Sequence, residues 1–102
     1  MPELIIGTDE VRLKRMARMM KTVGHAQRLK ILDLLQKRGK LSVKEIYENV
    51  GISQSNASQH LKALEDIEIL TSEREGKNIC YSIQNPEVHK LLRCMTDCVD
   101  CY

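Results

Sequence analysis

Apolar residues recur at three- and four-residue steps along most of the chain, and in one stretch that period gives way to simple alternation. Leu13, Met16, Ala17, Met20 and Val23 trace a stripe among basic residues, which predicts a first helix capped by Thr8 or Asp9 and ended at Gly24. The period resumes from Ala26 to Lys37 through Leu29, Ile31, Leu32 and Leu35, and Arg38-Gly39-Lys40 reads as its stop. Ser42 caps a short helix over Val43 to Val50, closed by Gly51. Ser53 opens another, whose stripe is Ala57, Leu61, Leu64 and Ile67.

The last two helices are joined by Asn49-Val50-Gly51-Ile52, a tight glycine-bearing turn that carries the signature of a helix-turn-helix. Downstream, Ile69 to Arg74 and Asn78 to Ile83 alternate and flank Glu75-Gly76-Lys77, which predicts a two-stranded hairpin. Asn85-Pro86 introduces a final helix with proline in its first turn, and Val88, Leu91, Leu92, Met95 and Val99 form its apolar face. No repeat, linker or low-complexity segment interrupts this order.

Composition narrows the class. A chain of 102 residues, 42% hydrophobic and 29% charged, has room for one small water-soluble domain spanning 1–102. It has no Trp and no Phe, so Leu, Ile, Val and Met must build the interior. A domain this size buries only about 60–65% of its chain surface, so pairing with a second copy would add stability. The opening residues offer only the short run Leu4-Ile5-Ile6, too little for a signal peptide or a spanning helix. The expected setting is therefore the cytoplasm, with no membrane partner, where the 4 Cys read as free thiols that bind metal or sense redox state. No nucleophile paired with a base, no carboxylate pair and no phosphate-cradling glycine loop is present, so an enzyme is not expected.

Charge is uneven although the net value is only +2. Between residues 11 and 40, Arg12, Lys14, Arg15, Arg18, Lys21, Arg28, Lys30, Lys37, Arg38 and Lys40 face a single acid, Asp33. Such a half suits a polyanion, although solvated helix faces have the same composition. The helix after Ser53 adds Gln54, Ser55, Asn56, Ser58, Gln59 and His60, a dense set of donors and acceptors of the kind that reads base edges in a major groove. Lys62 and Lys77 read as phosphate contacts, which position without specifying. Ser53 serves as the cap.

Four helices, a hairpin and a last helix make a mainly α winged helix with a two-stranded β wing. The segments RLKILDLL (Arg28 to Leu35), GISQSNASQHLKAL (Gly51 to Leu64) and EREGKNICYSI (Glu73 to Ile83) resemble the ArsR/SmtB family of metal-responsive repressors, in unbroken order from about Val11 to the C-terminus. The resemblance implies a homodimer joined through the first and last helices, operator DNA as partner, and the helix after Ser53 as the recognition helix. One departure is Glu68, where the family usually closes that helix with Gly, so the turn into the wing is expected to differ.

The family senses through ligand sets at different places. Its arsenic site puts two Cys at the start of the helix before the recognition helix; Leu41 to Ile46 contains none, so that site is absent. Its zinc positions in the last helix align here with Asn85, Glu87, Cys98 and Cys101. Cys94, Cys98 and Cys101, spaced by four and three, fall within a stripe of about 60° on one helix face. Three thiolates there suit arsenite, cadmium or lead, or zinc if Asp97, Asp100 or Glu87 of a partner chain completes a tetrahedron. They also suit redox sensing, with no metal, through a disulfide or polysulfide. Read blandly, they are small apolar residues continuing the Leu91, Met95 face. Cys80, on a wing strand, reads as packing, and His25 and His89 as unliganded. The expected function is a repressor released from its operator when the C-terminal thiols bind metal(loid) or oxidise. A thiol-rich metal buffer or interaction module that no longer binds DNA is the alternative.

Overall fold

The computed structural model describes residues 7–102, so Leu4-Ile5-Ile6 lies outside the described residues. Helix α1 spans Glu10–Val23, and Asp9 rather than Thr8 caps it: its Oδ1 accepts from the backbone N–H of Val11 at 3.0 Å and of Arg12 at 3.2 Å. Helix α2 spans Ala26–Arg38, capped by His25, whose Nδ1 accepts from the Gln27 N–H at 3.2 Å. The chain then forms strand β1 (Leu41–Ser42), helix α3 (Val43–Val50) and helix α4 (Gln54–Asp66). Ser42 and Glu45 form a reciprocal capping box on α3, and Ser53 Oγ caps α4 through the Asn56 N–H at 3.1 Å. Gly51 closes α3 at φ 80°, a left-handed turn that glycine adopts without strain.

Strands β2 (Leu70–Glu75) and β3 (Asn78–Ile83) form the wing, paired from Leu70 with Ile83 to Glu75 with Asn78. Glu75 thus belongs to the strand, and the loop is only Gly76-Lys77. Gly76 has φ 65°, as the first position of a two-residue hairpin loop requires. The sheet has three strands rather than two, in the order β1-β3-β2, because Leu41 and Ser42 pair antiparallel with Tyr81 and Cys80. Two residues carry no period of their own, and β1 exists only through its distant partner. Helix α5 spans Val88–Asp100, and Pro86 sits in the turn before it rather than in its first helical turn. The chain leaves α4 through Glu68 at φ 61°, the one non-glycine residue with positive φ among the described residues. Where the family usually has Gly, Glu68 thus takes a left-handed conformation that strains a non-glycine residue.

Ile31, Leu32 and Leu35 of α2, Ile46 of α3, Leu61 and Leu64 of α4, and Ile69 and Leu70 at the wing form the buried core, closed by Leu41, Tyr81 and Val88. The helix-turn-helix and the wing's base are thus locked around α2. The outer helices are not: Val11 is 68% and Met20 76% exposed on α1, and Val99 is 56% exposed on α5. The shape follows, with extents of 55 × 30 × 21 Å and a radius of gyration of 15.2 Å, against about 13 Å for a compact chain of this length.

Candidate nucleic-acid interface and thiol cluster

Helix α4 turns Ala57, His60, Leu61 and Leu64 inward. At about 100° per residue, Ser55, Ser58, Gln59 and Lys62 then occupy the middle of its outer face, within an arc of about 100°, with Gln54 and Asn56 on the flanks. All six are exposed. His60 departs from the other residues expected to meet bases. It is 8% exposed, and both ring nitrogens are engaged: Nδ1 accepts from Arg28 Nε at 3.0 Å, and Nε2 pairs with Gln27 Oε1 at 2.8 Å. Burial first, then the charges of His25 and Arg28, hold its pKa below the ordinary histidine range.

Lys77 at the wing's tip shares a groove of about 270 Å³ with Lys44 and Tyr47 of α3, Gln54 and Ser58 of α4, and Asn78. Two ammonium groups with hydroxyl and amide donors around one groove suit a phosphodiester. Sequence reasoning missed Lys44 and Tyr47, because only the fold brings α3 beside the wing. The basic half is also thinner than its composition suggests. Arg28 points inward to His60 and the Thr22 carbonyl, Lys37 pairs with Asp33 at 3.3 Å, and Lys40 binds Glu73 at 2.8 Å and also Glu75. Hydrogen bonds to Glu73 and then Glu75 raise the Lys40 pKa, so this cation is held on the wing's own acids.

Cys94, Cys98 and Cys101 are exposed on one side of α5, lining an open groove with His89, Lys90, Arg93 and Asp97. That side is offset from the apolar face of Val88, Leu92, Met95 and Val99. The neighbouring Cys98, chiefly through its charge, pushes the Cys94 pKa up. The donors are soft and on one face, which fits a thiophilic ion. Within one chain, however, no group of three His, Cys, Asp or Glu is drawn together to hold one among the described residues. Of the aligned zinc positions, Asn85 Oδ1 is taken by the Glu87 N–H at 3.0 Å, and Glu87 pairs with Lys90 at 3.3 Å. His89 Nδ1 meets Gln36 Nε2 at 2.7 Å. Cys80 is buried on β3, and burial raises its pKa, in keeping with a packing role.

A helix-turn-helix with a polar outer face on its second helix, followed by a hairpin with a basic tip, defines a winged helix-turn-helix protein. The family model described as bacterial regulatory protein, arsR family, matches residues 25–72. The transcriptional repressor PagR of Bacillus anthracis is 38% identical over 77 residues, covering 76% of this chain and 77% of its own. The arsenical resistance operon repressor of Bacillus subtilis is 34% identical over 80 residues, covering 78% and 76%. Among solved structures, a homodimeric winged helix-turn-helix DNA-binding domain from Mycobacterium bovis superposes with a TM-score of 0.79 at 29% identity, over 98% of this chain and 91% of that one. The chain belongs to the arsR family of bacterial transcriptional regulators. Among the described residues, no helix is long and apolar enough to cross a membrane.

Proposed function

We propose that the protein is a homodimeric repressor that reads an inverted repeat of operator DNA with Gln54, Ser55, Asn56, Ser58 and Gln59. Lys62 and Lys77 hold phosphates, joined by Lys44 and Tyr47. The polar outer face of α4 beside a basic wing tip carries this reading. The exposed apolar residues of α1 and α5, with a homodimeric relative of the same fold, support pairing of two copies through those helices. Two recognition helices related by a two-fold axis then meet half-sites about 34 Å apart.

The repressor is released when Cys94, Cys98 and Cys101 take up a thiophilic ion such as arsenite, cadmium, lead or zinc. Three thiols on one stripe favour an ion over oxidation, since a disulfide uses two and leaves the third unpaired. Binding displaces thiol protons and draws the thiols together, or toward groups of the partner chain, which changes the packing of α5 at the dimer seam. Coupling of about 1–3 kcal/mol is enough to weaken operator binding several-fold or more.

The test is anisotropy of labelled duplex with reduced protein. Arsenite or a soft divalent ion is expected to release DNA, and a variant with all three cysteines replaced by Ser is expected to bind operator normally and ignore the ion. Release by oxidant in the presence of chelator would reassign the thiols to redox sensing. Normal release of the triple variant under every treatment would remove them from sensing altogether. The absence of any preferred duplex would leave a thiol-rich buffer or interaction module.

A further inference from the structure

Among the described residues, Arg28 is bonded through its side chain to both α1 and α4. Its Nη1 donates to the Thr22 carbonyl at 2.9 Å, in the last turn of α1, and its Nε donates to His60 Nδ1 at 3.0 Å, midway along α4. An arginine nitrogen can only donate, so Nδ1 is the bare nitrogen and the imidazole proton sits on Nε2. That proton points at Gln27 Oε1, 2.8 Å away. The ring is thereby fixed as one neutral tautomer with each nitrogen bonded to a side chain from the first turn of α2. His25 lies over the same ring, with centroids 4.5 Å apart and planes 54° apart, while its own Nδ1 caps α2.

A planar ring tethered at both nitrogens resists turning in a way that the apolar contacts of Ala57, Leu61 and Leu64 do not. Dispersion contacts are non-directional and tolerate small sliding, whereas hydrogen bonds weaken steeply once misaligned. The consequence lies on the far side of the helix. With side-chain tips about 5–6 Å from the axis, a rotation of about 10° moves Ser55 or Gln59 by about 1 Å, enough to break a two-point contact with a base edge.

We propose that Arg28 and Gln27 are positioning residues for operator reading: through His60 they set the rotation of α4 about its own axis, in register with the end of α1. This rests on the reading of α4 as the helix that meets DNA. It gives the buried polar cluster a task beyond its own satisfaction, and it makes Arg28 the joint through which a displacement of α1 reaches the base-contacting side chains.

The discriminating variant is Arg28→Met with His60→Leu, which replaces both ends of the Arg28–His60 bond by apolar groups of similar shape and leaves only the half-buried Gln27 amide and Thr22 carbonyl to bond water, so its cost to folding is small. Its probe is the duplex selected from a random library by the wild-type protein, measured against a scrambled duplex of the same composition. The double variant is expected to keep its helical content, denaturation midpoint and affinity for scrambled DNA, and to lose about tenfold in preference for the selected duplex. His60→Gln, whose amide retains an acceptor for Arg28 and a donor for Gln27, is expected to keep that preference. Gln27→Leu, which leaves the core and the Arg28 bond untouched, is expected to lose about threefold and decides the matter if the double variant does not fold. Wild-type preference in the double variant, or in Gln27→Leu when the double variant fails to fold, overturns the proposal. So does a loss in His60→Gln as large as in the double variant, which would trace the reading to ring packing. A wild-type protein that selects no duplex overturns the DNA reading itself, and the positioning role with it.

Discussion

The helix-turn-helix with its wing and the two outer helices are built to different states of completion. Around α2, each core element is covered by another element of the same chain, and no buried side-chain nitrogen or oxygen lacks a hydrogen-bond partner among the described residues. On α1 the apolar stripe still faces outward at Val11, Leu13, Met16 and Met20, and on α5 Leu91, Leu92 and Met95 are only half-buried against the core while Val99 is exposed. The first region is finished by one chain and the second is left for another. Substitutions in the two should therefore fail in different ways.

The largest effect is expected at Leu61, fully buried in α4. Leu61→Ala should cost about 2–5 kcal/mol, read as a fall in the denaturation midpoint that does not depend on protein concentration. Met20→Glu on α1 should leave the fold of each chain intact and instead raise the dimer dissociation constant about tenfold or more, seen by sedimentation. A concentration-independent loss of structure in Met20→Glu would erase the contrast between the regions.

Within the reading region, Asn56→Ala or Gln59→Ala should cost about 1–3 kcal/mol at particular base pairs and relax preference there. Lys77→Ala should lower affinity for all duplexes alike and reduce the salt dependence of binding. An unchanged sequence preference in both α4 variants would move base reading elsewhere.

A smaller effect follows from His60. Its pKa is depressed in the folded chain, so on acidification the unfolded chain takes up the proton first. The associated stability is complete above the ordinary histidine value of about 6.5 and is lost as pH falls from there through the folded value. With His25→Asn as a common background, His60→Gln should remove this part of the pH dependence. An identical pH profile in the two proteins would contradict it.

The smallest change is expected at Glu68. Its left-handed backbone costs on the order of 1 kcal/mol, so Glu68→Gly should raise the denaturation midpoint by a few degrees and leave DNA preference alone. A lower midpoint would mean that the unfolded-state entropy of glycine outweighs the relieved strain.

The elements readable from sequence are those whose signals are local. Asp9, Ser42 and Ser53 lie directly before the helices they cap, and Gly76 sits where the hairpin turns. Strand β1 was not readable because its two residues depend on partners about 40 positions away. The candidate site divides along the same line. Gln54, Ser55, Asn56, Ser58 and Gln59 follow from the periodicity of α4, and the thiol stripe follows from spacing alone. The place of His60 was readable too: with Ala57, Leu61 and Leu64 it completes the three- and four-residue steps of the inward face. Polarity drew it to the wrong side. Lys44, Tyr47 and the inward turn of Arg28 had no local signal, since each is fixed by contacts across the fold.

The thiols occupy exposed positions on the last helix, whose one fully buried anchor is Val88 at its first turn. Packing therefore constrains Cys94, Cys98 and Cys101 very little. On the sensing role proposed above, a change of any of them to an imidazole or a carboxylate alters which ion is taken up and leaves the fold undisturbed. On that same reading, selection is free to rewrite the input chemistry one residue at a time, while the packed helix-turn-helix and wing descend unchanged.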